Sequence, residues 1–386
     1  MSYFALRFDL RNPPLAGTSM QERYQAALDM TEWADRLGFV SVTLSEHHGS
    51  DDGYLPSPVA MAAAIAARTQ TIRITIAALV AAFHDPLRLA EDIAVVDLVS
   101  GGRLDVVITN GYVAREFAMF DQPLSERARR TGEMVETLRR AWSGEPFEFR
   151  GRAARVMPTP AQPGGPRILL GGSSEAAARR AARIGDGFIP STPEVWKYYR
   201  DELVNLGRPD PGPYRGGDTG FFHLASDPDD GWRRIGPYAM HEANSYGQWM
   251  ADGGVGAAGG YVPMTDLEAL RASGQYRVMT PAELVAHLHD QGPHGLAAFH
   301  PMMGGIPPDV AWSSLRLFED EVLPLLSERP VGRESEPGPS GRGSGRQHVD
   351  SPSGPAEGQE RGATDQPLPS SAPVGRATRG GPRGTA

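Results

Sequence analysis

Hydrophobic and polar positions follow two rhythms through the first 330 or so residues. Short apolar runs rich in aromatic and β-branched residues read as strands. They lie at Tyr3 to Asp9, Phe39 to Leu44, Ile72 to Val80, Leu104 to Thr109, Arg167 to Leu170, Gly187 to Pro190, Gly220 to Ala225 and Leu296 to His300. Between them the apolar positions recur at helical spacing. Ser19 to Leu37 begins with Ser19 and Glu22 in capping-box spacing and stops at Gly38. Leu89, Ile93, Val96 and Val99 form one face of another helix, which Gly101 and Gly102 end. Ser125 to Trp142, Ser174 to Arg183 and Pro281 to Gln291 are similarly amphipathic. Strands alternating with helices over this length predict an α/β protein, a (β/α)8 TIM-type barrel with insertions. An open doubly wound sheet has the same rhythm and is the alternative. Two stretches break the alternation: Gly144 to Gly165, read as a hairpin or loop excursion, and Gly231 to Tyr276, a long insertion rich in glycine and aromatics. Insertions after barrel strands usually cover the mouth where ligands bind.

Composition changes at residue 331. Residues 331–386 contain no Phe, Tyr, Trp, Ile, Met or Lys and are dominated by Gly, Pro, Ser, Arg and Glu. Such a segment cannot bury enough apolar surface to offset its ordering entropy, so it reads as a disordered tail following a barrel domain of residues 1–330. With 386 residues and 40% hydrophobic content, one large core is within reach. No apolar run reaches the roughly 18 residues a membrane helix needs, and no signal peptide precedes the first strand. Cytoplasmic location is therefore the default expectation. The absence of cysteine excludes disulfides, thiolate catalysis and Cys-ligated metals. A net charge of -9 implies no basic face, and so argues against a nucleic-acid partner. Lys197, the only lysine, lies in the helical run PEVWKYYR, an unpromising place for Schiff-base chemistry.

The chemistry collects just beyond the strands, where parallel α/β proteins hold their ligands. The second strand is followed by Glu46, His47 and His48, and the fourth by Asn110, Gly111, Tyr112 and Glu116. After the fifth come Gly171, Gly172, Ser173 and Ser174, then a helix. Those glycines let an anion approach backbone N–H groups, and Ser173 adds a hydroxyl at a helix N-terminus, which reads as a phosphate site. An ordinary N-cap turn uses the same residues, and spacing alone leaves the two readings level. His47 and His48 diverge on an extended segment and have no third ligand at metal spacing, so no metal site is expected. One of them suffices for acid–base work; a structural pair, one exposed and one hydrogen-bonded, is the plain alternative.

Four ordered motifs carry a resemblance. SEHHGSDDGYLPSP, HDPLRLAEDIAVVDLVSGGRLDVVITNGYVAREF, PRILLGGSSEAAARRAARIGDGF and SLRLFEDEVLPLL make the chain similar to the luciferase-like flavin monooxygenases, over most of residues 1–328. The resemblance implies a barrel with reduced flavin at its C-terminal face and FMN phosphate near the fifth strand. It places His47 in the catalytic loop, a non-prolyl cis peptide at Ala77–Ala78 beneath the flavin ring, Glu116 near the flavin, and Gly172, Ser173 and the Tyr112 backbone at phosphate. Asn110 stands where luciferases commonly carry a phosphate-binding arginine, and an amide cannot make that charge-assisted bidentate contact. Thr109 replaces their reactive cysteine, so that cysteine's role does not transfer.

The expected function is a flavin-dependent monooxygenase using reduced FMN and O2 on a small organic substrate. A separate flavin reductase is implied, since no G-x-G-x-x-G follows a strand. Branches of the same family use F420 for hydride transfer, which is the first alternative. A metal-dependent barrel hydrolase using His47, His48 and an acid is the second. A non-catalytic flavin-binding subunit that stabilises a catalytic partner is the third, and a homo- or heterodimer is compatible with all of these readings. Trp232, His241, Tyr238, Tyr246 and Trp249 in the long insertion read either as a lid over an apolar or aromatic substrate or as a satellite core.

Overall fold

A computed structural model describes residues 2–214, 221–254, 261–292 and 295–327. The tail expected at 331–386 lies outside these residues. The elements run β1 (Tyr3–Phe8), α1 (Met20–Arg36), β2 (Ser41–Leu44), α2 (Pro58–Arg68), β3 (Arg73–Val80), α3 (Pro86–Ser100), β4 (Leu104–Thr109), α4 (Ala114–Met119), α5 (Arg127–Ala141), β5 (Phe147–Phe149) and β6 (Arg152–Ala154). Then follow β7 (Arg167–Gly172), α6 (Glu175–Ile184), β8 (Gly187–Pro190), α7 (Trp196–Asn205), β9 (Phe221–Leu224), α8 (Pro228–Asp252), α9 (Leu267–Ser273), β10 (Tyr276–Met279), α10 (Pro281–Asp290), β11 (Leu296–Phe299), α11 (Pro308–Leu317) and α12 (Leu323–Ser327).

Nine strands form one sheet in the order β10-β9-β11-β1-β2-β3-β4-β7-β8, and its ladders are parallel throughout. This is the (β/α)8 plan, in which every strand is joined to the next by a helical crossover, with one strand added. β10 is the addition. It pairs with β9 and begins at Tyr276, the last residue of the stretch read from the sequence as insertion. The first part of that stretch is also regular: α8 is a 25-residue helix that accommodates Pro237 internally. The buried Gly231, Gly236 and Gly247 and the exposed Pro237 hid its 3.6-residue rhythm. The other excursion is the short antiparallel hairpin β5–β6.

Local signals act as their chemistry dictates. Ser19 and Glu22 cap α1 reciprocally, and Gly101 ends α3 in the left-handed region at φ 66°. β4 spans the predicted residues and is buried along most of its length, as a strand covered on both faces must be. Phe4, Trp33, Phe39, Phe299 and Phe318 pack ring against ring between the sheet and the last helices, with centroids 4.7–6.4 Å apart. Among the described residues no helix is long and apolar enough to cross a membrane.

Candidate functional site

The C-terminal ends of β1 to β4 and β7, together with α8, enclose a cavity of about 560 Å³. His47 and Glu116, the Ala77–Ala78 pair, Asn110 and Tyr112, and the Gly171-Gly172-Ser173 run all line it. The strand-end residues singled out for chemistry thus converge on one space. The Ala77–Ala78 peptide is cis, and the β3–β4 register shifts between Ala77 and Leu79. Gly111 turns the chain out of β4 at φ 75°, and a Cβ there would come within 2.7 Å of Val80 Cγ1.

His47 and Glu116 form a buried pair. His47 Nδ1 lies 2.8 Å from Glu116 Oε1, which also accepts the His48 backbone N–H at 3.0 Å. With the carboxylate accepting, the ring hydrogen sits on Nδ1 and Nε2 is left for other chemistry. Trp249 and Tyr54 hold the ring, with centroids at 4.5 and 4.8 Å. His48 goes elsewhere: its ring packs on Phe120 and Phe83, and Nε2 is 3.2 Å from Glu46. Both histidines are buried, which corrects the reading of one as exposed. Burial opposes ionisation of Glu46, yet His48, His84 and the Val80 N–H outweigh it and hold the carboxyl at about 2. Each histidine therefore has its own carboxylate, an arrangement that separates the two rings and does not gather them around a metal.

The turn after β7 gives its two serines different surroundings. Ser174 is the N-cap of α6, its hydroxyl accepting from Ala177 N–H at 3.3 Å. Ser173 makes no side-chain hydrogen bond among the described residues and lines the cavity. A Cβ on Gly172 would lie 2.4 Å from Ala177 Cβ, so a glycine there lets α6 start close against the strand. Asn110 does not reach into this end as a lone amide. Its Oδ1 accepts from Arg180 Nη1 at 3.0 Å and from Thr131 at 2.7 Å. A cation on the cavity wall beyond β4 is Arg127, the first residue of α5, which has no ion pair among the described residues. Sequence reasoning missed it, although a signal was present: an arginine opening a helix opposes the positive end of the helix dipole.

The opposite wall is aromatic and was only partly foreseen. Tyr246 and Met250 of α8, Tyr54 and Tyr261 face the cavity. The Tyr54 and Tyr246 hydroxyls lie 2.6 Å apart, and Tyr261 stacks on Tyr246 at 4.6 Å. Burial raises both Tyr54 and Tyr246, so both phenols stay neutral. The insertion's aromatics divide: Tyr246 lines the cavity and Trp249 braces His47, whereas Trp232 is core beneath Arg271.

Behind this wall lies a buried polar layer. Arg11 pairs with Asp52 at 2.5 Å and Asp9 at 3.5 Å, and its guanidinium covers the rings of Tyr54, Tyr246 and Trp249. His241 of α8 reaches Asp52 at 2.8 Å, and Glu242 accepts from Tyr276 at 2.8 Å. Burial opposes the charge of Asp52, but His241 and Arg11 hold it well below the usual carboxylate range. Asp9, Glu242 and His300 are the one group whose donor atoms come within 4.8 Å of one another among the described residues, and neither His47 nor His48 belongs to it.

Known proteins share this architecture. The model of the luciferase-like monooxygenase family matches residues 5–280. The crystal structure of monooxygenase RslO1 from Streptomyces bottropensis is 28% identical, superposes with a TM-score of 0.65, and the match covers 84% of this chain and 100% of that one. The FMNH(2)-dependent dimethylsulfone monooxygenase of Pseudomonas putida is 29% identical over 172 residues, 42% of this chain and 47% of the relative. An F420-dependent glucose-6-phosphate dehydrogenase of Nocardia farcinica is 29% identical over 188 residues, 46% of this chain and 56% of the relative. The chain spans about half the length of such curated relatives. A match running from β1 to β10, through every strand that contributes to the cavity, makes the chain a member of the luciferase-like monooxygenase family.

Proposed function

We propose that this chain is a flavin-dependent monooxygenase that uses reduced FMN and O2 on a small organic substrate. One observation carries the reading: a single cavity joins an anion-binding end to a histidine held by a buried carboxylate. The residues present fit FMN. The free Ser173 hydroxyl, the Arg127 guanidinium and the N–H groups around Gly172 are donors for its phosphate. The backbone at Ala77–Ala78, with Val80 and Val107, offers an apolar surface to a planar ring. Reduced FMN supplies the electrons and the activation of O2, which no side chain can provide.

The protein's part is to bind, orient and exclude water. Asn110 fixes Arg180 and Thr131 behind the phosphate end and leaves Arg127 as the direct cation. Glu116 orients His47 so that Nε2 can take or hold a proton beside the ring. Tyr54, Tyr246 and Tyr261 close the far side with neutral, largely apolar surface. Reduced flavin is delivered by a separate reductase, because no dinucleotide-binding glycine fingerprint follows any strand.

The test is a titration of the purified chain with FMN, reduced FMN and F420, each followed by O2 uptake. Tightest binding of reduced FMN with O2 consumption is expected. Preference for F420 without O2 uptake would replace this reading by hydride transfer, and flavin binding without any turnover would leave a partner subunit. Within the phosphate site, Ser173→Ala is expected to weaken FMN by about 1 kcal/mol or more, some fivefold in Kd. An unchanged Kd would remove Ser173 from the site.

A further inference from the structure

Arg7 is a charged residue in the otherwise apolar strand β1, on the cavity wall. Nη2 donates to the Tyr246 hydroxyl at 3.1 Å and the guanidinium covers the Phe221 ring at 5.2 Å. Its Nε has no hydrogen-bond partner, and no carboxylate pairs with it among the described residues. The acids nearby are engaged elsewhere: Asp9 and Asp52 with Arg11, and Glu242 with Tyr276 and, at 3.4 Å, His300. Glu242 acts on Arg7 only from beyond contact, and a cation withdrawn from water without a counter-charge in contact is costly, an aromatic face offsetting only part of that cost. Arg7 therefore presents unsatisfied positive charge to whatever fills the cavity.

Its position decides what that is. β2, β3 and β4 separate β1 from β7, so Arg7 stands across the mouth from Ser173 and Arg127. With the flavin phosphate at β7 and its ring over Ala77–Ala78, the space before Arg7 belongs to the second ligand. His47, Tyr54, Tyr246 and Tyr261 border that space, so its occupant meets ring faces on several sides and one guanidinium. The geometry points to a substrate that is a planar ring compound bearing an oxyanion, a carboxylate foremost, with the charge received by Arg7. This inference rests on the flavin placement proposed above. In the reaction Arg7 binds and orients; His47 handles the proton.

Calorimetric titration of the FMN-loaded protein with 2-naphthoate and with its uncharged isostere 2-naphthamide tests this. The acid is expected to bind at least tenfold tighter than the amide. Arg7→Met is expected to abolish that ratio, and Arg7→Lys to restore part of it, while the Kd for FMN changes less than about twofold in both variants. Equal binding of acid and amide by the wild-type protein, or no binding of either, overturns the assignment. Survival of the ratio in Arg7→Met also overturns it, as does loss of FMN affinity in that variant, which would give Arg7 to the flavin. The FMN affinity of the wild type is read in the same series, so failure of the flavin reading shows there and not in the acid-to-amide ratio.

Discussion

His47→Ala is expected to slow turnover with reduced FMN by about 10²–10⁴-fold, the usual range for loss of a positioned acid–base group, while reduced FMN binds almost as tightly as before. The separation of the two effects follows from geometry. His47 Nδ1 is committed to Glu116, its ring is fixed by Trp249 and Tyr54, and it contributes nothing to the phosphate end at β7. Glu116→Gln keeps the size of the partner but replaces an acceptor-only carboxylate with a group that can donate. A lower kcat with an almost unchanged Kd for reduced FMN and an unchanged melting temperature is therefore expected from it, a combination a merely structural role would not produce. His48→Ala is expected to lower the melting temperature with little effect on turnover, because its ring is buried against Phe83 and Phe120 beside Glu46. Rapid-mixing measurements of substrate oxidation in the three variants decide the matter. Full activity in His47→Ala, or a larger loss in His48→Ala, removes His47 from the chemistry.

Arg127→Met is expected to weaken FMN by about 1.5–3 kcal/mol, roughly tenfold to a hundredfold in Kd, the loss typical of a charge-assisted hydrogen bond. Riboflavin, which lacks the phosphate, is expected to bind wild type and variant alike. That comparison is decisive. If riboflavin loses as much affinity as FMN, Arg127 supports the pocket and does not hold the phosphate. High salt is expected to weaken FMN binding in the wild type more than in the variant, since a partly exposed ion pair is screened.

These effects show how far the sequence could be read. Strand and helix rhythm, the capping box at Ser19 and the glycine stop at Gly101 are local signals, and local signals placed eight strands and their order. The strand-end rule then collected His47, Glu116 and the Gly171-Gly172-Ser173 turn, because chain direction alone fixes which end of a parallel strand faces the ligand. β10 escaped since its four residues, YRVM, carry the charged Arg277 and so lack the apolar run by which the other four-residue strands were read. Arg7, Tyr54 and Arg127 escaped for a different reason. Their roles come from which side chains lie across the mouth from one another, a relation between strands far apart in sequence. Asn110 illustrates the same limit: as a residue type it signalled a missing cation, whereas its neighbours in space are Arg180 and Thr131.

α8 closes one side of the cavity, and it is tied down along its length. His241 reaches Asp52, Glu242 reaches Tyr276, Asn244 accepts from the Met264 N–H at 2.7 Å, and Tyr246 meets Tyr54. These ties join one helix to the loop after β2, to the segment before α9 and to β10. Its ordering is thus settled when the chain folds, and a ligand arriving in the cavity need not spend contact energy on assembling that side. In hydrogen-exchange terms, the backbone amides of residues 239–250 are expected to behave like those of the central strands, exchanging through global unfolding on a timescale far slower than turnover, with flavin binding expected to protect them little beyond the stability it lends the whole fold.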